Sequence, residues 1–191
     1  EDEMKKDGVV SNDIRQREVK MNKYNLNDIK LFSRRYIGSK GTEYFISYES
    51  KDAKILYGFI RLRLNHTWDE TLDTIKYCAF VRELHVYGEH TPVSDRHKET
   101  GTQHRGLGGK LLRIAEEIAF NKGYLKMAII AGCGVRAYYA KKGYTKQNTY
   151  MQKCLCITMF PQLILKKIAY YASMVMFTIS VVCIFNFLNI F

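Results

Sequence analysis

Apolar residues in the first half of the chain recur with the spacing expected for strands. The segments 29–37, 43–49, 55–64 and 75–87 are rich in β-branched and aromatic residues, and polar breaks separate them. This pattern predicts four consecutive strands, mostly antiparallel to one another.

The spacing changes to that of a helix after residue 103. Leu111, Ala115 and Ile118 fall on one side of a predicted amphipathic helix that ends near Gly123. A short apolar run at 125–131 follows and predicts a buried strand.

The next segments complete the predicted domain. A second helix is expected at 135–142, where Gly143 closes it, and a final strand at 144–155. These elements predict an α+β domain over 25–158, with a mixed, mostly antiparallel sheet flanked by helices. The polar segment 1–24 is interpreted as a lead-in from a domain further upstream.

The C-terminal segment 168–191 contains no charged residue. As a helix it would be about 36 Å long, enough to cross a bilayer. The basic segment 159–167 and the pair Tyr170 and Tyr171 would mark the interface. We therefore expect a transmembrane helix that anchors the domain, facing the cytosol, to the mitochondrial outer membrane or the endoplasmic reticulum. A buried helix of a water-soluble domain is the alternative.

The positive charge of the chain is regional. The formal net charge is +11, and residues 103–167 carry 12 Lys or Arg against two acidic residues, whereas 1–102 carry 18 against 17. Coenzyme phosphates, RNA and anionic lipid would all favour such an asymmetry. Charge alone leaves these partners open.

The cysteines indicate neither a disulfide framework nor a metal site. There are five, an odd number, and the closely spaced Cys154 and Cys156 form C-x-C without a nearby His. We therefore predict thiols in a reducing, intracellular compartment and no bound metal.

A glycine-rich segment lies between the fourth predicted strand and the amphipathic helix. Glycines let the backbone approach an anion closely, and the N–H groups of a helix start favour phosphate. The predicted phosphate-binding residues are Gln103, His104, Arg105, Gly106, Leu107, Gly108, Gly109 and Lys110.

Two common nucleotide motifs do not fit. A Walker A loop would need Gly at His104 and Ser or Thr at Leu111. The segment 132–137 imitates a dinucleotide fingerprint, but no acidic residue follows Glu117 to bind the ribose. An NTPase and a Rossmann dehydrogenase are therefore disfavoured.

The segment instead resembles the Q/R-x-x-G-x-G/A signature of GNAT acetyltransferases, matched by Gln103, Gly106, Gly108 and Gly109. The resemblance implies a GNAT fold that binds the pyrophosphate of acetyl-CoA.

Further GNAT roles follow from the same resemblance. Tyr139 and Gly143 match Y-x-x-x-G-F/Y, which implies that Tyr139 protonates the departing thiolate and binds the cofactor, with Tyr138 beside it. Glu83 is the candidate general base; aromatic packing and a structural acid are the alternative roles. The fourth strand would offer backbone groups to the pantetheine arm at Leu84, His85 and Val86.

A more specific resemblance covers nearly all of residues 11–153. The segments D-I-R-Q-R-E-V at 13–19 and R-E-L-H-V-Y-G at 82–88, with Pro92-Val93, Gln103-His104 and Tyr138-Tyr139, are similar to the acetyltransferase domain of the Elongator catalytic subunit. Ala137 and Ala140 depart from the residues usual in that family.

This resemblance implies an acyltransferase domain of a tRNA wobble-uridine modifying enzyme. It implies acetyl-CoA and tRNA as ligands, other Elongator subunits as possible partners, and a [4Fe-4S] cluster with S-adenosylmethionine in a domain outside this chain. Two alternatives remain: a protein lysine acetyltransferase, and a membrane-tethered RNA-binding module without catalysis.

Overall fold

The chain consists of two compact units, Glu1–Cys154 and Leu155–Phe191. The computed structural model describes residues 13–19, 28–66, 73–87, 106–156 and 161–188.

Within the described residues, the first unit is built on one seven-stranded sheet. Its strands are β1 (Ile29–Gly38), β2 (Gly41–Ser50), β3 (Leu56–Asn65), β4 (Ala79–Val86), β5 (Lys126–Ile130), β6 (Thr145–Gln147) and β7 (Tyr150–Cys154). The order across the sheet is β1-β2-β3-β4-β5-β7-β6, and only β4 and β5 are parallel. The four predicted N-terminal strands are thus confirmed.

The final predicted strand is wrong in one respect, because the chain forms a hairpin there. Strands β6 and β7 pair antiparallel, and Asn148 in the connecting turn has a φ of +53°. Asn tolerates this left-handed conformation better than most residues do. The apolar residues of 144–155 did not indicate that the chain reverses direction between two strands there.

Three helices of the described residues belong to the first unit: α1 (Ile14–Arg17), α2 (Leu107–Asn121) and α3 (Arg136–Ala140). Helix α2 packs against β2, β3 and β4, and Leu111 and Leu112 on its apolar face are buried. Each such leucine contributes about 1.5–3 kcal/mol of burial. The predicted helix at 135–142 is shorter than expected and begins with a 3-10 turn over Cys133–Val135.

The parallel strands β4 and β5 separate partway along their length. Their pairing ends at Val81 and Ile129, but β4 continues to Val86. In the described part of the sheet, the end of β4 therefore has no strand partner on its β5 side. Helix α2 follows β4 in the chain and α3 follows β5, so the opening lies at the carboxyl ends of parallel strands, where α/β proteins commonly bind ligands.

The second unit contains helix α4 (Pro161–Leu188). Its described side chains are exposed. Hydroxyls of Ser173, Thr178 and Ser180 donate hydrogen bonds to carbonyl oxygens three or four residues earlier.

The predicted membrane anchor at 168–191 is contradicted. Among the helices of the described ranges, none combines the length and the apolarity that a membrane span needs. The same finding overturns three predictions that depended on the anchor. These are the location at the mitochondrial outer membrane or endoplasmic reticulum, the juxtamembrane role of 159–167 and the membrane as a partner.

Candidate functional site

The start of α2 provides the described part of the glycine-rich segment. Gly106 caps the helix with a φ of +66°, a conformation that most other residues would adopt only with strain, and no side chain caps the helix. The N–H groups of a first helical turn have no acceptor within the helix. This helix start can therefore donate hydrogen bonds to an anion.

The side chains of the predicted loop have different surroundings. Leu107 is buried, so its side chain belongs to the core and only its backbone is available to a ligand, whereas Lys110 is exposed. Gln103, His104 and Arg105 lie outside the described residues. Their predicted roles remain predictions.

Tyr138 and the end of β4 both reach the start of α2 at Gly108. A Cβ built on Gly108 would lie 3.2 Å from the Tyr138 hydroxyl and 3.4 Å from Val86 Cγ2. These distances are tighter than ordinary van der Waals contact or at its lower limit, so a glycine keeps the space open. The structure thus brings together the described part of the predicted loop, one predicted tyrosine and one predicted β4 residue.

Tyr139 has a different environment from Tyr138. It is 5% exposed, and its ring lies edge-on to Tyr138 and Tyr144 with centroid distances of 5.2 and 6.0 Å. Burial, and then the neighbouring Tyr138, raise the pKa of Tyr139 to about 12. Burial also raises the pKa of Tyr138, which is 38% exposed. The motif pointed to Tyr139, but it is Tyr138 whose hydroxyl reaches the glycine-rich helix start.

Glu83 lies on the other side of β4 from Val86. The β3–β4 register is regular from Gly58–Val86 to Arg61–Glu83, so side chains alternate over this stretch. Glu83 Oε2 lies 3.8 Å from Arg61 Nη1, and both side chains are partly exposed. The structure does not place Glu83 with Tyr138 and Gly108.

The remaining predicted residues of β4 follow the same alternation. His85 shares the side of Glu83, and its ring stacks on Phe59 and contacts Tyr87. Leu84 shares the side of Val86. Their backbone groups lie along the part of β4 that has no pairing with β5, and their contacts with a pantetheine arm remain predictions.

One residue near the site was missed. Lys142, just after α3, lies over the ring of Tyr138 with its Nζ 5.9 Å from the ring centroid. The spacing of four residues from Tyr138 on a predicted helix could have indicated this proximity.

Comparisons with known proteins agree with the sequence motifs. No model of a known protein family matches the chain. Over 157 residues, however, the chain is 41% identical to the human protein named Elongator complex protein 3 and 40% identical to its Drosophila melanogaster counterpart, covering 80% of this chain and 28% of each relative. The predicted resemblance to an Elongator protein is confirmed.

Archaeal proteins show the same similarity. The chain is 39% identical over 160 residues to a Methanocaldococcus jannaschii protein named tRNA uridine(34) acetyltransferase, covering 80% of this chain and 29% of that protein. The present chain therefore spans less than a third of the length of these relatives.

A solved structure supports the fold. The Elp3 structure from Methanocaldococcus infernus matches with a TM-score of 0.65 and 36% identity, over 81% of this chain and 38% of that one. The predicted α+β fold of GNAT type, with a mixed sheet flanked by helices, is confirmed.

Proposed function

We propose that this chain is the acetyl-CoA-dependent acyltransferase part of an Elongator-type enzyme that modifies the wobble uridine of tRNA. The similarity to a protein named tRNA uridine(34) acetyltransferase supports the reaction class. The observation that carries the proposal is the contact of the Tyr138 hydroxyl with the Gly108 position, beside the opening between β4 and β5.

The described residues fit such a coenzyme. Gly106 adopts a left-handed conformation and Gly108 leaves a space that a Cβ would fill, so the start of α2 can approach a pyrophosphate closely. The backbone of Leu84, His85 and Val86 runs past the end of the β4–β5 pairing and can bind an extended pantetheine arm. We assign these roles to the same residues that the motifs indicated.

Acyl transfer from the thioester requires that the departing thiolate be protonated. When bound, acetyl-CoA supplies an activated acyl group as a thioester. The motif indicates Tyr139, whose pKa burial raises to about 12, so its hydroxyl is protonated at neutral pH. The Tyr138 hydroxyl lies at Gly108, where the pyrophosphate would bind, and the pantetheine arm separates the pyrophosphate from the thioester sulfur. We therefore propose Tyr139 as the donor; Tyr138 as donor is the alternative to test.

The rest of the reaction is proposed for a longer enzyme. tRNA as acceptor, other Elongator subunits as partners, and a [4Fe-4S] cluster with S-adenosylmethionine in another domain follow from the family resemblance. The basic excess of residues 103–167 suits an RNA partner. A role for Glu83 as general base is favoured only if the acceptor is an amine.

The test is calorimetric titration of the full chain with acetyl-CoA, followed by thioester turnover alone, with tRNA and with a lysine peptide. We expect binding, and turnover that tRNA accelerates more than the peptide does. Acceleration by the peptide alone would instead indicate a protein lysine acetyltransferase. A folded chain that binds RNA but not acetyl-CoA would overturn the proposal in favour of an RNA-binding module.

A further inference from the structure

The side chain of Lys142 is packed toward the first turn of α2. A Cβ built on Gly109 would lie 3.2 Å from Lys142 Nζ and 3.7 Å from its Cε. The turn that carries the lysine is fixed, because the Lys142 N–H donates to the Tyr139 carbonyl at 2.9 Å and Gly143 has a φ of +84°. The ammonium group therefore lies beside the glycine-rich helix start.

Nothing in the described residues neutralises this ammonium group. No carboxylate there forms an ion pair with Lys142, and the first turn of α2 contains no acidic residue. By contrast, Lys153 pairs with Glu116 at 3.0 Å. The ring of Tyr138 offers Lys142 only a weak cation–π contact at 5.9 Å.

The position of Lys142 is electrostatically unfavourable without an anion. The N-terminus of a helix carries about half a positive charge, and cations near it are disfavoured. An exposed lysine could turn into solvent, yet this one lies against Gly109 and Tyr138. A phosphate group between the ammonium and the backbone N–H groups would bind both and remove the repulsion.

We propose that Lys142 binds a phosphate group of the coenzyme and so determines the preference for a phosphorylated acyl carrier. This inference rests on the proposed function, since it assigns a residue to the same site. The chemical class of ligand is an acyl thioester whose carrier bears a phosphate or pyrophosphate.

The test compares Lys142→Gln with Lys141→Gln in the full chain. Both lysines are exposed, but only Lys142 has a described contact with Gly109 and Tyr138. We expect Lys142→Gln to weaken acetyl-CoA binding about tenfold and to reduce its dependence on salt, and Lys141→Gln to change it less than about twofold. Lys142→Arg should retain most of the affinity.

A phosphate-free probe separates the charge effect from damage to the site. The kcat/KM for thioester turnover of S-acetylpantetheine, which has no phosphate, should fall far less in Lys142→Gln than the kcat/KM for acetyl-CoA does. Equal losses with both thioesters, or equal behaviour of the two glutamine variants, would overturn the inference and leave the proposed function standing. A wild-type chain that does not bind acetyl-CoA would overturn both.

Discussion

The region around Glu49 and the region around the start of α2 treat charge in opposite ways. Glu49 is fully buried on β2, yet it accepts hydrogen bonds from Arg17, Arg34 and Ser47. Its charge is compensated by cations from α1 and β1. The negative charge of this Glu49 cluster is thus balanced by residues of the chain itself.

The start of α2 has the reverse arrangement. Lys142, the Tyr138 hydroxyl and the N–H groups of the helix start converge there, and no carboxylate of the described residues forms an ion pair with that lysine. A compensated cluster stabilises the fold, whereas an uncompensated one has binding capacity left for a ligand. The comparison therefore predicts that substitutions in the first region change stability and those in the second change binding and turnover.

The largest expected effect is on stability, from Glu49→Gln. The substitution removes the charge that pairs with Arg17 and Arg34, and breaking a buried pair in this way costs about 3–5 kcal/mol. Chemical denaturation would measure this loss in the free energy of unfolding. Asp52→Asn is the matched control, because the Asp52–Lys54 pair is exposed and 3.8 Å long, and its effect should be much smaller.

The same cluster predicts a dependence on pH. Burial opposes ionisation of Glu49, but hydrogen bonds from Arg34 and Ser47 and the charges of Arg17 and Arg34 outweigh it, so the pKa of Glu49 is lowered. A lowered pKa in the folded state stabilises the fold above the unfolded pKa, and this contribution is lost as the pH falls through the folded pKa. Glu49→Gln should therefore flatten the acid limb of the stability curve; an unchanged limb would contradict the assignment.

The next effect is on turnover, from Tyr139→Phe. Loss of a proton donor should slow thioester turnover about 100-fold with little change in acetyl-CoA affinity. Tyr138→Phe should slow it much less, because the Tyr138 hydroxyl lies at Gly108, where the pyrophosphate is proposed to bind. Burial raises the pKa of Tyr139 to about 12, so deprotonation of this donor should reduce wild-type turnover only as the pH approaches that value. The opposite ranking of the two variants would assign the proton to Tyr138.

A smaller effect on binding is expected from Gly108→Ala. The added Cβ would lie 3.2 Å from the Tyr138 hydroxyl, which must then move and narrow the site. We expect acetyl-CoA affinity to fall about fivefold, or about 1 kcal/mol. Stability should not fall, because Ala favours a helix more than Gly does. Gly132→Ala is the control, since a Cβ there meets no atom within 4 Å.

Much of this architecture could be predicted from local sequence patterns. Apolar spacing located the first four strands and α2, and glycine spacing located the helix start. The separation of β4 from β5 after Val81 could not be predicted, because strand pairing depends on residues distant in the chain. For the same reason, motif spacing pointed to Tyr139, whereas the tertiary packing of α3 against β6 and β7 decides which tyrosine reaches Gly108.

The smallest effect is expected from Glu83→Gln, which sharpens the boundary between the two regions. The Arg61–Glu83 pair is partly exposed and 3.8 Å long, so its loss should change the free energy of unfolding by less than about 0.5 kcal/mol. Turnover should also change little, because Glu83 lies on the side of β4 away from Val86 and Gly108. A general base contributes about 100-fold or more. A loss of that size, measured with tRNA or with a lysine peptide, would show that the reacting centre extends across β4 and that Glu83 belongs to it.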